Sequence, residues 1–268
     1  LKRAIVSFAS NGREDYVSVV TRVARTAIAN HFDGDVILYM PGYSKTGINE
    51  FGSNKLFVIN EYPNTKEYGP CSLHQLVPYQ FKAFAIQAAI EAGYEQVIWM
   101  DSTVVTLTNL DHVTQFLRSV RCIMPDNAGC LESIFTSDDC LGMMGCSPER
   151  ANTFSQIMAC VMMFDFKGKN VMNIFKEYIE HSLDGVSFQG ISGSDRPEFK
   201  AHRHDQSVIS YLLEKYSIPH TPYGLLVYPQ GSWHTDFKPC IINWGPHYMP
   251  KTFEDSLVNS IHIPIFDE

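Results

Sequence analysis

Apolar residues toward the amino terminus follow two alternating periodicities. Apolar runs at Ala4–Phe8 (interrupted by Ser7), Val36–Met40, Leu56–Ile59 and Val97–Met100 are separated by Asp15–His31 and Pro78–Ala92, where apolar positions recur at helical spacing. The order predicted is β-α-β-β-α-β. Strands apolar on both faces need cover on both faces, which predicts a mostly parallel sheet between helical layers. Gly34 and Gly93 follow the two helices and are expected to stop them.

Beyond residue 105 the pattern predicts a helix over Asp111–Val120, a strand at Cys122–Met124, and a buried strand over Gln156–Phe166. Helices follow over Asn170–Ser182 and Asp205–Tyr216, the latter with Asp205 as N-cap. The Gly/Cys/Ser-rich stretch Asn127–Pro148 is ambiguous and is a candidate active-site loop; Gly185–His202 reads as a long Gly/Ser/Pro loop. The tail from Tyr228 to Glu268 mixes Pro, Trp and His and is expected to wrap the sheet irregularly. With no repeat and no linker, a single α/β domain over residues 1–268 is expected.

Composition narrows the function classes. The 268 residues are 45% apolar and 19% charged, enough for a full core. The longest apolar run, Ile157–Phe164, falls short of the ~18 residues of a spanning helix, and Leu1-Lys2-Arg3 leads directly into the first strand. Neither a membrane span nor a signal peptide is expected. A net charge of −8 argues against a nucleic-acid partner, which needs a basic stripe, but leaves room for a small phosphate ligand held by one or two cations or a metal. Seven cysteines, none in a C-x-x-C pair, and no Asn-x-Ser/Thr sequon point to a reducing compartment. A cytoplasmic location is expected, with the Golgi lumen as the alternative for a trimmed chain.

Three segments carry candidate chemistry. In Gln96-Val97-Ile98-Trp99-Met100-Asp101-Ser102-Thr103 a buried strand ends in a carboxylate at the rim where open α/β sheets bind ligands. Asp101 there serves a ligand or metal, or merely caps the following turn. In His202-Arg203-His204-Asp205-Gln206-Ser207 the Asp has a sufficient role as helix cap, and the paired histidines lack a second ligand group at helical spacing for a zinc site. Lys82, amid Pro78-Tyr79-Gln80-Phe81 and Ala83-Phe84, must snorkel to solvent or find an anion such as a phosphate. His234, His247 and His262 in the tail read as surface or hydrogen-bonded histidines.

The order of these segments resembles the GT-A glycosyltransferases, most closely family 8, the glycogenin and bacterial galactosyltransferase type. That family's strand ending in Asp-x-Asp is matched by Val97–Thr103, its Asn-Ala-Gly-Val strand by Met158-Ala159-Cys160-Val161, its Asp-Gln helix start by Asp205-Gln206, and its late metal-binding His by His262. Two departures stand out. The second Asp is Thr103, and Met158 and Cys160 replace the Asn and Gly of the sugar-facing strand. Ala9-Ser10-Asn11-Gly12-Arg13 stands where sugar-1-phosphate nucleotidyltransferases carry a Gly-x-Gly-x-Arg loop, which argues against that class.

The resemblance implies a nucleotide-sugar-binding half over residues 1–110, an acceptor half over 111–268, and transfer from a UDP-linked sugar to a hydroxyl of a glycan or glycoprotein. It implies donor contacts from Ala9, Ser10, Asn11, Lys82, Asp101, Ser102, Thr103 and Ala159. Asp205 becomes the catalytic carboxylate, with His204 and Gln206 on the acceptor side. Asp101 and His262 would hold a Mn²⁺ or Mg²⁺ ion weakly. Two other readings stay open: a non-catalytic nucleotide-sugar or glycan-binding module, and a metal-dependent hydrolase.

Overall fold

The computed structural model describes residues 1–9, 14–222, 224–228, 240–243 and 261–267. Strand β1 (Arg3–Phe8), helix α1 (Glu14–Ala29) and strand β2 (Asp35–Tyr39) are followed by β3 (Gly47–Phe51), β4 (Asn54–Ile59) and the small ladder β5 (Asn64–Thr65) with β6 (Gly69–Pro70). Helix α2 (Gln80–Glu91), strands β7 (Gln96–Met100) and β8 (Val104–Thr106), and helix α3 (Asp111–Val120) come next. The middle of the chain forms β9 (Cys122–Ile123), β10 (Asp126–Leu131), α4 (Asp138–Met144), α5 (Pro148–Ala151), β11 (Ser155–Ile157) and β12 (Val161–Asp165). Helices α6 (Lys169–Leu183) and α7 (Asp205–Lys215) precede β13 (Val227–Tyr228), β14 (Ile241–Asn243) and a short helix at Pro264–Asp267.

The result is one α/β domain around a mixed, mostly parallel seven-stranded sheet in the order β3-β4-β2-β1-β7-β12-β9. Strands β4, β2, β1 and β7 are parallel, while β3 and β12 run against them. The chain steps outward from β1 to β2 and β4, then returns through α2 to β7 on the other side of β1. The carboxyl ends of β1 and β7 therefore border the crevice where the winding reverses.

Every residue of β1, β7 and β12 is buried, which is why these strands are apolar on both faces apart from Arg3, Ser7, Gln96 and Asp165. Alternate side chains feed two cores. Val6, Trp99 and Phe164 join residues of α2, α6 and α7, whereas Ile5, Ile98 and Met163 join those of α1 and α3.

Four expectations need correction. The apolar run Gln156–Phe166 is two strands: β11 pairs with β10, and β12 enters the main sheet. The break at 158–160 is invisible to periodicity because both sides of it are buried. Asn127–Pro148 is largely regular, contributing most of β10, then a 3-10 turn and α4. Gly34 is not the residue that turns α1: His31 has φ of 54°, while a Cβ on Gly34 would lie 2.6 Å from the Phe32 ring. Asp205 is the first helical residue of α7 rather than its cap, a position held by His204. In the tail, β14 pairs antiparallel with β8; His234, His247 and most of residues 229–260 lie outside the described residues.

Candidate functional site

Asp101 follows the last residue of β7. Its N–H donates to the Cys160 carbonyl at 2.8 Å, and its own carbonyl accepts from Val104 N–H at 2.9 Å. A backbone hydrogen bond thus closes the following turn. The side chain turns elsewhere: Trp99, two residues back on the same strand face, donates Nε1–H to Asp101 Oδ1 at 2.8 Å. Lys82 Nζ lies 3.0 Å from the same oxygen, and the Asp101 side chain remains 30% exposed.

Lys82 has found two anions. From the first turn of α2 its ammonium meets Asp101 Oδ1 and Asp205 Oδ2, each at 3.0 Å, and donates to the Ala159 carbonyl at 3.1 Å. The Asp205 contact is a charge pair whose angle is poor for a hydrogen bond, since Oδ2 has no directed partner. Ala159 occupies the break between β11 and β12, so the interruption that periodicity missed supplies the carbonyl that accepts from Lys82. Tyr79 lies over the ammonium at 4.9 Å from its ring centre.

Burial alone would depress the Lys82 ammonium, but Asp101 and Asp205 together raise it above the ordinary lysine value. It stays charged. Burial pushes the Asp205 carboxyl up, against the pull of Lys82. Two carboxylate oxygens and one carbonyl at 3.0–3.1 Å compensate the ammonium in the way a buried charge must be compensated.

A cavity of about 490 Å³ opens beside this centre. Phe8 at the end of β1, Trp99 at the end of β7 and Phe81 of α2 line it, with Tyr16, Tyr62, His74 and Tyr79. Asp101, Ser102 and Thr103 supply polar lining at the sheet edge. This is the carboxyl-end crevice that the topology defines. Sequence reading missed the aromatic lining; Trp99 alone carried a signal, being spaced i, i−2 from Asp101 on a buried strand.

The candidate residues divide into those the fold gathers and those it does not. Lys82, Asp101, Asp205 and Ala159 meet at one point, and Ser102 and Thr103 lie on the cavity. Lys82 is only 2% exposed and is not among the lining residues, so its ammonium secures the two carboxylates instead of facing the cavity. Asp205, 3% exposed, likewise stands behind the lining. His204 touches the site through Tyr79, their ring centres 5.6 Å apart, while the Gln206 amide turns away to Gln156 Oε1 at 2.8 Å. Ala9 is buried after β1 and donates its N–H to the Tyr39 carbonyl; Ser10 and Asn11 lie outside the described residues.

The donor set for a divalent ion does not assemble among the described residues. Thr103 brings no carboxylate, and His262 pairs with Asp267 in the short last helix at 3.1 Å. No group of three His, Cys, Asp or Glu is positioned among the described residues to hold a metal. Nor is any described helix long and apolar enough to cross a membrane. No protein-family model matches the chain, and no curated protein matches it significantly.

Proposed function

We propose that this chain is a glycosyltransferase of the GT-A type, similar to family 8, that moves a sugar from a nucleotide diphosphate sugar, UDP-linked, to a hydroxyl of a glycan or glycoprotein. One observation carries the reading: a partly exposed carboxylate, Asp101, oriented by Trp99 and Lys82 at the carboxyl ends of β1 and β7, beside an aromatic-lined cavity of about 490 Å³. Aromatic faces suit a nucleobase and sugar rings, and a fixed carboxylate at a switch point suits the polar groups between them.

In this reading Asp101 meets the donor, Ser102 and Thr103 line the same edge, and Lys82 and Asp205 hold Asp101 in place. Asp205 acts through Lys82 and is a positioning group rather than the proton acceptor. A Mn²⁺ or Mg²⁺ ion would find one carboxylate, Asp101, among the described residues. Ion binding is accordingly weak.

The second reading, a nucleotide-sugar or glycan-binding module without turnover, draws on the burial of Asp205, which leaves Asp101 as the one carboxylate among the residues lining the cavity. Release of UDP from UDP-sugars separates the two. A thermal-shift panel of nucleotides and nucleotide sugars, with and without Mn²⁺, should show a raised melting temperature for UDP-sugars. Failure of every nucleotide sugar to stabilise the chain would end the transferase reading and leave only a glycan-binding module.

A further inference from the structure

Tyr79 and His204 occupy matching positions. Each directly precedes a helix bearing one member of the buried ion pair, α2 with Lys82 and α7 with Asp205, and each has positive φ, 61° and 50°. Such backbone is unfavourable for bulky side chains and persists only where the surroundings over-determine it, often at functional sites. Their ring centres lie 5.6 Å apart, and His74 packs edge-on against Tyr79 at 4.9 Å. Phe81, stacked on Phe8 at 4.1 Å, separates this trio from the end of β1. A donor seated over the β1–β7 crevice leaves the Tyr79 edge to a second molecule.

Backbone groups hold the two histidines in opposite tautomers. Tyr79 N–H donates to His74 Nδ1 at 3.1 Å, so neutral His74 carries its proton on Nε2. Burial, with His204 and Lys82 nearby, lowers the His74 imidazole and keeps it neutral. His204 Nδ1 donates to the Phe188 carbonyl at 2.8 Å, so neutral His204 keeps its lone pair on Nε2. Neither Nε2 has a hydrogen-bond partner among the described residues. His202 differs: Nδ1 accepts from Ser137 N–H and Nε2 donates to the Ser187 carbonyl, which makes it a strut.

A sugar hydroxyl donates and accepts at once, and a pyranose presents an apolar C–H face beside its hydroxyls. An aromatic face between an N–H donor and a nitrogen acceptor matches both properties. We propose that His74, Tyr79 and His204 form the subsite for a pyranose ring of the acceptor, its C–H face on Tyr79 and its hydroxyls read by the two imidazoles. The word acceptor rests on the glycosyl-transfer reading; recognition of a pyranoside does not.

The test uses the ¹⁵N-labelled full chain with UDP present, titrated with methyl α- and β-pyranosides of glucose, galactose, mannose and N-acetylglucosamine. Long-range ¹H–¹⁵N spectra should report His74 protonated on Nε2 and His204 on Nδ1, and at least one pyranoside should shift both rings. Tyr79→Asn, which removes the ring but tolerates left-handed backbone, should weaken that pyranoside by about tenfold or more. His74→Phe, which keeps a ring but not the donor, should weaken it as well. The subsite is overturned if no pyranoside moves either imidazole, or if both variants bind as the unmodified chain does. UDP-glucose and UDP-galactose are tested by thermal shift in the same samples. Nucleotide-sugar binding without a pyranoside response sinks the subsite alone, and the converse sinks the transferase reading alone.

Discussion

Two carboxyl groups flank the start of α7, both withdrawn from solvent and oppositely compensated. Asp205 faces the Lys82 ammonium at 3.0 Å. Glu132, in the 3-10 turn after β10, accepts one hydrogen bond from Thr136 Oγ1 at 2.6 Å, and its second oxygen has no partner. Gln156 links the two regions, donating to Thr136 Oγ1 and accepting from the Gln206 amide. Burial pushes the Glu132 carboxyl up to about 8, with Thr136, Gln156 and Arg196 pulling the other way. The counter-ion, not the depth of burial, decides which side of α7 carries charge: a fixed ionic centre beside the cavity, a neutral hydrogen-bonded support behind it.

Removing the cation has the largest expected effect. Lys82→Met leaves Asp205 buried without a partner and should cost about 3–5 kcal/mol, read as a lowered urea midpoint. Adding Asp205→Leu should restore part of that loss, because the stranded charge goes with it. A Lys82→Met protein as stable as the unmodified one would mean that Lys82 contributes nothing to holding the carboxylates.

On the uncharged side the effect depends on pH. Glu132 binds its proton more tightly folded than unfolded, so its stabilising contribution is complete below the unfolded value near 4.5. It declines as pH rises toward about 8. Glu132→Gln mimics the protonated acid and should be the more stable protein above pH 8, by roughly 2–4 kcal/mol, while matching the parent near pH 4. Parallel stability curves for the two proteins across that range would show that Glu132 is ionised when folded.

At the cavity itself, Asp101→Asn keeps an oxygen for Trp99 but loses the charge. Donor turnover should fall by about 10²-fold or more with folding preserved. Near-normal turnover would remove Asp101 from the site.

How much of this was legible follows from what periodicity measures. The alternation of apolar runs and helical stretches exposed the layered sheet, because strands buried on both faces are mostly apolar. Asp101 stood out as a carboxylate ending such a strand, and Lys82 as a cation with no solvent route. That the lysine's anions would be Asp101 and Asp205 depends on α2 and α7 starting side by side, a long-range fact absent from either segment. The break at Ala159, the left-handed Tyr79 and His204, and the aromatic lining are likewise set by tertiary packing. Glu132 lies in the stretch that read as an ambiguous loop, and nothing local marks it as buried.

The smallest expected effect lies at the exposed His262–Asp267 pair. His262 pairs with Asp267 at 3.1 Å, but its side chain is 67% exposed, and the carboxylate is held below the usual range chiefly by Arg25. Solvent screens such a pair, so His262→Ala should change stability by under about 0.5 kcal/mol. That contrasts with the Lys82 loss at the same nominal kind of contact. The substitution also tests the metal ligand that the family resemblance implied. With His262 tied to the last helix, nucleotide-sugar stabilisation in Mn²⁺ should match that of the unmodified chain. If His262→Ala instead abolished a Mn²⁺-dependent part of that stabilisation, the tail would have to bring His262 to the donor. The ionic centre at Lys82 would then share its cationic role with a metal.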